Sequence, residues 1–333
     1  MPHAAAERRC ERLRNATMIG LDTWKLPGNV VPPVTPFDAD GAVDYARLQR
    51  EIDWVVASSR PAAICVAGVE AQEYQYLSDA ARRELIRETI AAIGGRVPAL
   101  VGISHASYRR SIELAALAHE SGASAVQVLL PNRPSGGAAT TAEIVAYYQA
   151  IVRESALPVV AYHNQGPGAD LGVPALMEVL SIPGVVGLKE SSRNQRFLAN
   201  LLREAQARKL GRIFTTLEVL LGTLILGAAG GTMPAPGSAL AALLVEAFHA
   251  GDLPKAVRIQ QLLSEMPARW IAHGLVAVSK ASLTAIGLDC GPTYPPFGAV
   301  PAKDTEEIRV FWDQALDEFP ALRPAEGRTA EPR

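Results

Sequence analysis

Cysteine is scarce. The 333-residue chain has three, Cys10, Cys65 and Cys290, far apart and odd in number, with neither a CxxC pair nor Cys/His metal spacing. That argues against a disulfide framework or a structural zinc, and reduced thiols in a cytoplasmic protein are the expectation. An excess of one charge is also missing: the net charge is −2, with 20% charged residues and no block of like sign. Neither a nucleic acid nor a membrane surface is therefore expected as a partner. No apolar stretch approaches the roughly 20 residues needed to span a bilayer. The opening "MPHAAAERRCERLRNAT" carries arginines without an apolar core behind them, so a short helical arm is expected there rather than a secretory signal. His105, His119, His249 and His273 share no ligand spacing, and GxSxG and P-loop motifs are absent, so neither a metal nor a cofactor is expected.

What the chain has is alternation. Apolar residues make up 49% of it, enough for a large core. From residue 29, short apolar runs alternate with amphipathic helical stretches. The strand candidates are 29–34, 62–67, 97–102, 125–130, 158–163, 184–189, 212–216 and 228–233. Helix starts are marked by Asp44, by Ser107, and by Thr140 with Glu143, which together form a capping box. Eight β–α units in about 220 residues fit a (β/α)8 TIM barrel, an α/β fold, with a doubly wound open sheet as the competing architecture. Beyond 252 there is no strand signal, and helices are expected over 254–266, 270–287 and 304–318, interrupted by "GPTYPPFGAVP". The expected organisation is an N-terminal arm (1–27), a catalytic barrel (28–251), a C-terminal helical region (252–320) and a tail (321–333).

One stretch is chemically odd. In "VVGLKESS" (185–192) a lysine, Lys189, closes an apolar strand. A buried ammonium without a partner is costly, and such a lysine tends to give up its proton. A neutral, desolvated lysine is suited to condensing with a ketone or aldehyde, and the protonated imine then draws electrons from the adjoining carbon–carbon bond. Tyr162 ends the preceding strand, within reach to move protons. Alone, either residue reads more readily as structural: Lys189 paired with a carboxylate, Tyr162 as a core aromatic. A pair with Glu190 is disfavoured, because neighbouring strand residues point to opposite faces.

These segments, "VVGLKESS" and "PVVAYHNQG", resemble the Schiff-base lysine and catalytic tyrosine segments of the dihydrodipicolinate synthase/N-acetylneuraminate lyase family. "PPVTPFDADGAVD", "PNRPS", "LGAAGG" and "VSKASLTAIGLDCGPTYPPF" are similar to further family segments in the same order. The resemblance implies a class I, metal-independent lyase barrel, commonly a homotetramer, here expected as a tetramer or dimer. It also implies that Lys189 forms the imine and Tyr162 is the acid/base phenol. Pyruvate-using members carry a Gly-Thr-Thr-Gly-Glu loop after the second strand; here Val69-Glu70-Ala71-Gln72-Glu73 stands in its place, with Glu70 where a carboxylate would be received. Leu130-Pro131 precede Asn132 where a synthase-type tyrosine is expected, and no arginine follows Tyr162 closely. Dihydrodipicolinate synthesis is therefore not expected. The reading is a Schiff-base lyase or hydro-lyase acting on an oxo compound, foremost a 2-oxo acid. Glu70, Ala71, His163, Gln165, Thr232 and Met233 are expected to line its pocket. The alternatives are a dehydratase or hydratase-aldolase whose substrate lacks the usual carboxylate, and a catalytically idle barrel that binds a small ligand.

Overall fold

The structure, a computed structural model, describes residues 28–323 apart from 70, 134 and 136. The expected N-terminal arm and most of the expected tail lie outside the described residues, as does Glu70.

Eight parallel strands follow one another in chain order: β1 (Val30–Val31), β2 (Ala63–Val66), β3 (Ala99–Gly102), β4 (Ala125–Leu129), β5 (Val159–His163), β6 (Val185–Glu190), β7 (Arg212–Thr215) and β8 (Gly230–Gly231). The order never doubles back, as it would at the switch point of an open doubly wound sheet. With helices between the strands this is a TIM barrel. Each expected apolar run contains a strand, but the first and last are shorter than expected. Pro32 and Pro33 have no N–H to give to a ladder, which confines β1 to two residues. Gly230 at β8 adopts φ 154°, and a Cβ there would lie 1.6 Å from the Gly28 carbonyl oxygen, so only glycine permits this approach of two backbones.

Residues 98–232 form one compact unit, which holds β3 to β8. Its helices are α3 (Tyr108–Glu120), α4 (Thr141–Glu154), α5 (Val173–Leu180), α6 (Gln195–Ala207) and α7 (Leu220–Ile225). Both halves of the Thr140/Glu143 capping box are made at the start of α4. Ser107 is the N-cap residue of α3, as expected, although its side chain makes no capping bond; its N–H donates to Nδ1 of His105 at 2.9 Å. On α6, Leu198, Leu201, Leu202 and Ala205 are buried, the spacing of one apolar helical face. Between β5 and β6 the pairing slips once: Val159 faces Val185 but Val160 faces Gly187. Val186 is thus an extra residue on β6.

Residues 29–97 with 233–323 form the other unit. It holds β1 and β2, α1 (Tyr45–Trp54), α2 (Asp79–Ile93), α8 (Gly237–His249), α9 (Leu253–Trp270), α10 (Leu275–Ala285) and α11 (Ala302–Glu318). Asp44 caps α1 through a bond from the Arg47 N–H at 2.9 Å. The helix expected to begin at 270 begins at 275, because α9 runs on to Trp270 and Gly274, at φ 92°, breaks the path between the two. The core of this unit contains charge. Lys280 of α10 lies 2.9 Å from Glu73 and donates to the Pro292 carbonyl at 2.6 Å. Glu51 of α1 accepts from the Val34 N–H at 3.0 Å, and its other oxygen lies 4.0 Å from Sγ of Cys290. Burial pushes the Glu51 carboxyl up to about 8 and the Cys290 thiol up as well, and it lowers the Lys280 ammonium.

Candidate active site

Register decides which side chains meet. Beyond the slip, Tyr162 of β5 stands opposite Lys189 of β6, and His163 stands opposite Glu190. Because strand side chains alternate between faces, these two pairs lie on opposite faces of the same two strands. Lys189 Nζ sits 4.0 Å from the centroid of the Tyr162 ring, and both residues are buried. On its other side Lys189 is paired in register with Phe214 of β7. The amine thus lies over one aromatic ring and is flanked in register by a residue carrying another.

Asn164, the first residue after β5, donates from Nδ2 to the Tyr162 hydroxyl oxygen at 2.8 Å. Its Oδ1 accepts from the Gly166 N–H at 3.2 Å, which fixes which end of the amide faces the phenol. A donor aimed at the phenol oxygen leaves the phenol's own proton to be given elsewhere, and steadies the oxygen once that proton has gone.

A second layer of polar groups follows from the same ladder. Lys189 pairs with Phe214, and Phe214 with Gly230. Two residues further along, just past the ends of β6, β7 and β8, come Ser191, Thr216 and Thr232, in the same phase of the strand alternation as Lys189. Backbone bonds carry the ladder that far: the Ser191 N–H donates to the His163 carbonyl at 3.0 Å and the Thr232 N–H to the Thr215 carbonyl at 2.7 Å. All three side chains are more than nine-tenths buried, and their hydroxyl oxygens have no hydrogen-bond partner among the described residues. Leaving a buried hydroxyl unpaired costs about 1–3 kcal/mol. A buried hydroxyl without a protein partner is a group that an oxygen atom from outside the chain can satisfy.

The other expected pocket residues are placed as follows. Thr232 belongs to that layer. Met233, the next residue, is buried and points to the opposite face, its N–H bonded to the Val30 carbonyl at 3.2 Å. His163 was expected in the pocket, but its fully buried ring bonds Glu190 and the Leu171 N–H on the face away from Tyr162. Gln165 is exposed, and its amide donates to Asp170 at 2.8 Å. Ala71 is buried in the loop after β2, where Oε1 of Gln72 accepts from the Ala67 N–H and Glu73 is held by Lys280. Asn164, Ser191 and Thr216 escaped the sequence reading. Counting two residues on from Lys189 would have reached Ser191, whereas nothing local marks Thr216.

Among the described residues no three His, Cys, Asp or Glu side chains stand together as a metal site, and no helix is long and apolar enough to cross a membrane. A parallel barrel with an amine and a phenol at adjoining strand ends has the layout of a class I aldolase-type lyase. The profile of the Dihydrodipicolinate synthetase family matches residues 25–315. The chain belongs to that family. It is 28% identical over 298 residues to 4-hydroxy-tetrahydrodipicolinate synthase of Ralstonia nicotianae, covering 87% of this chain and 98% of the relative. To N-acetylneuraminate lyase of Rhizobium meliloti it is 26% identical over 293 residues, covering 86% and 94%. Among solved structures, the chloride-inhibited dihydrodipicolinate synthase of Acinetobacter baumannii, complexed with pyruvate, superimposes with TM-score 0.78 at 22% identity, covering 86% and 98%. The protein is a class I lyase of the kind that forms a lysine Schiff base with a 2-oxo acid.

Proposed function

We propose that Lys189 forms the imine, that Tyr162 relays the protons, and that the substrate is an oxygen-rich 2-oxo acid cleaved or dehydrated beside its carbonyl. The observation that carries this reading is the buried amine over the phenol ring at paired strand ends. Nζ adds to the carbonyl carbon, and loss of water leaves a protonated imine. The imine draws the electrons of the C3–C4 bond as the C4 hydroxyl gives up its proton, releasing an aldehyde and an enamine. Alternatively, loss of a C3 proton and departure of the C4 hydroxyl as water makes the step a dehydration. In both cases the phenol takes and returns protons, and hydrolysis of the imine frees Lys189.

Ser191, Thr216 and Thr232 would receive the substrate's hydroxyl or carboxylate oxygens. This is the reading in which their unpaired hydroxyls find partners. It agrees with the rewritten loop after β2, where Glu70-Ala71 stand in place of two threonines. Leu130-Pro131, and the lack of an arginine close behind Tyr162, argue against dihydrodipicolinate synthesis. We further propose a cytoplasmic homo-oligomer with a barrel over 28–251 and a helical region over 252–320. The test is borohydride trapping across a panel of 2-oxo acids bearing hydroxyls at C4 and beyond, with pyruvate for comparison. The expected result is faster trapping with the hydroxylated acids, a preference that Thr216→Val diminishes. Equal trapping of all the acids would remove the role given to the hydroxyl layer.

A further inference from the structure

We propose that His163 and Glu190 are a positioning pair that aims the proton relay at Tyr162, an inference that rests on the roles given above to Lys189 and Tyr162. The pair lies back to back with the amine and phenol: each member shares a peptide bond with one of them, and the alternation of the strand sends the two pairs to opposite faces. Nδ1 of His163 and Oε2 of Glu190 are 2.5 Å apart, and neither side chain reaches solvent. The tautomer follows from the neighbours. Nε2 accepts from the Leu171 N–H at 3.0 Å, so it is bare, and the ring proton sits on Nδ1 and goes to Glu190. The second carboxylate oxygen of Glu190 accepts from the Ser192 N–H at 2.7 Å. Phe197 packs obliquely against the imidazole, its centroid 6.0 Å away.

A well-packed apolar pair would hold two strands at least as well as a buried polar one. What the polar pair adds is direction. Glu190 fixes the plane and tautomer of the ring, and the ring in turn holds Leu171. Residues 164–171 form the loop after β5, so His163 grips that loop at its far end from the position just before its near end. The loop is tied down in between by the Gly168 N–H to the Asn164 carbonyl at 2.9 Å and the Ala169 N–H to the Leu130 carbonyl at 3.3 Å. At its near end Asn164 reaches the Tyr162 hydroxyl at 2.8 Å. The pair therefore acts on the phenol through Asn164 and touches no substrate. Asp170 is the other charged group beside the ring, its Oδ1 3.5 Å from Nε2, on an exposed side chain.

A displaced phenol should impair proton transfer more than imine formation. 2-Oxobutyrate serves as the probe for both, with the full-length chain, at concentrations raised until reduction no longer increases because an acid without distal hydroxyls is expected to bind weakly. Borohydride reduction followed by peptide mapping counts the adduct at Lys189, and NMR in D2O follows exchange of the C3 hydrogens through the enamine. In Glu190→Gln and His163→Phe we expect the Lys189 adduct to stay within about twofold of the unmodified enzyme. The kcat for exchange should fall about 10–100-fold with KM little changed, the size of a lost positioning effect. The double variant should be no slower than the worse single one, because the two act as one unit. His163→Gln, whose amide can both give to Glu190 and accept from Leu171, should recover part of the rate. Exchange at the unmodified rate in Glu190→Gln and His163→Phe would overturn the inference. So would losses of adduct, exchange and melting temperature in proportion, which mark general damage. Should His163→Phe fail to fold, Glu190→Gln alone carries the comparison. If the unmodified enzyme yields no adduct at Lys189, the roles of Lys189 and Tyr162 fall first, before any substitution is made, and the inference falls with them.

Discussion

Tyr162 and Lys189 are partners across the β5–β6 ladder, and the lysine nitrogen lies over the phenol ring at 4.0 Å from its centroid. The two residues are set side by side by the backbone register of their strands.

The amine is the first thing to test. Borohydride in the presence of a reactive 2-oxo acid should label Lys189, found by peptide mapping. Lys189→Arg should abolish turnover, because a guanidinium stays protonated and forms no imine. Label at Lys209 or Lys280 instead would move the chemistry elsewhere in the chain.

Removing the phenol should slow the reaction without unmaking the barrel. Tyr162→Phe is expected to lower kcat by about 10²–10⁴, the range for a lost general acid/base. An unchanged kcat with a reduced melting temperature would return Tyr162 to the role of a core aromatic.

Pyruvate should be a poor substrate. Two like charges at about 4 Å and an effective dielectric near 20 cost on the order of 4 kcal/mol, close to three powers of ten in affinity. An ionised Glu70 at the place the family resemblance gives it would impose a penalty of that order on any 2-oxo acid, and pyruvate has no distal hydroxyls whose contacts could offset it. Replacing Glu70 and Ala71 together by Thr restores two hydroxyl donors, and pyruvate trapping should then rise steeply. Efficient pyruvate turnover by the unmodified enzyme would show that this loop does not reject it.

Stability should fall as the pH rises from about 5 to 8, through Glu51. Its folded-state carboxyl is raised from 4.5 to about 8 by burial. Below 4.5 both folded and unfolded chains hold the proton, and the site's contribution to stability is complete. Between the two values only the folded chain holds it, so stability is lost with rising pH, by up to about 1.4 kcal/mol per unit. Glu51→Gln can still accept from the Val34 N–H and has no charge to gain. Urea unfolding at pH 5 and pH 8 should show a smaller difference for this variant than for the unmodified chain. An equal difference in both would mean that Glu51 does not hold its proton.

The barrel was legible because its signals are local: apolar runs of strand length, helix caps at Asp44 and Thr140, and regular spacing. Lys189 was legible for the same reason, as a charge in the wrong company. The fate of His163 was not, because its partners lie 27 residues ahead on β6 and 8 residues ahead in the loop, and only the ladder register brings them to one ring. Thr216 was hidden in another way. A threonine just past the end of a strand is ordinary until Ser191 and Thr232, just past the neighbouring strands, also prove to have buried hydroxyls without a partner.

The single surplus residue on β6 bears on how such barrels can change length. A regular ladder running on from Val159 and Val185 would set Tyr162 against Leu188 and His163 against Lys189, exchanging the amine's companion for an imidazole. Absorbing Val186 as a bulge restores the phase in which amine meets phenol. The strand therefore carries one residue of slack. Losing any single residue between Val185 and Lys189 lets the ladder run regularly and still sets the amine against Tyr162, whereas losing two of them turns the nitrogen to the outer face.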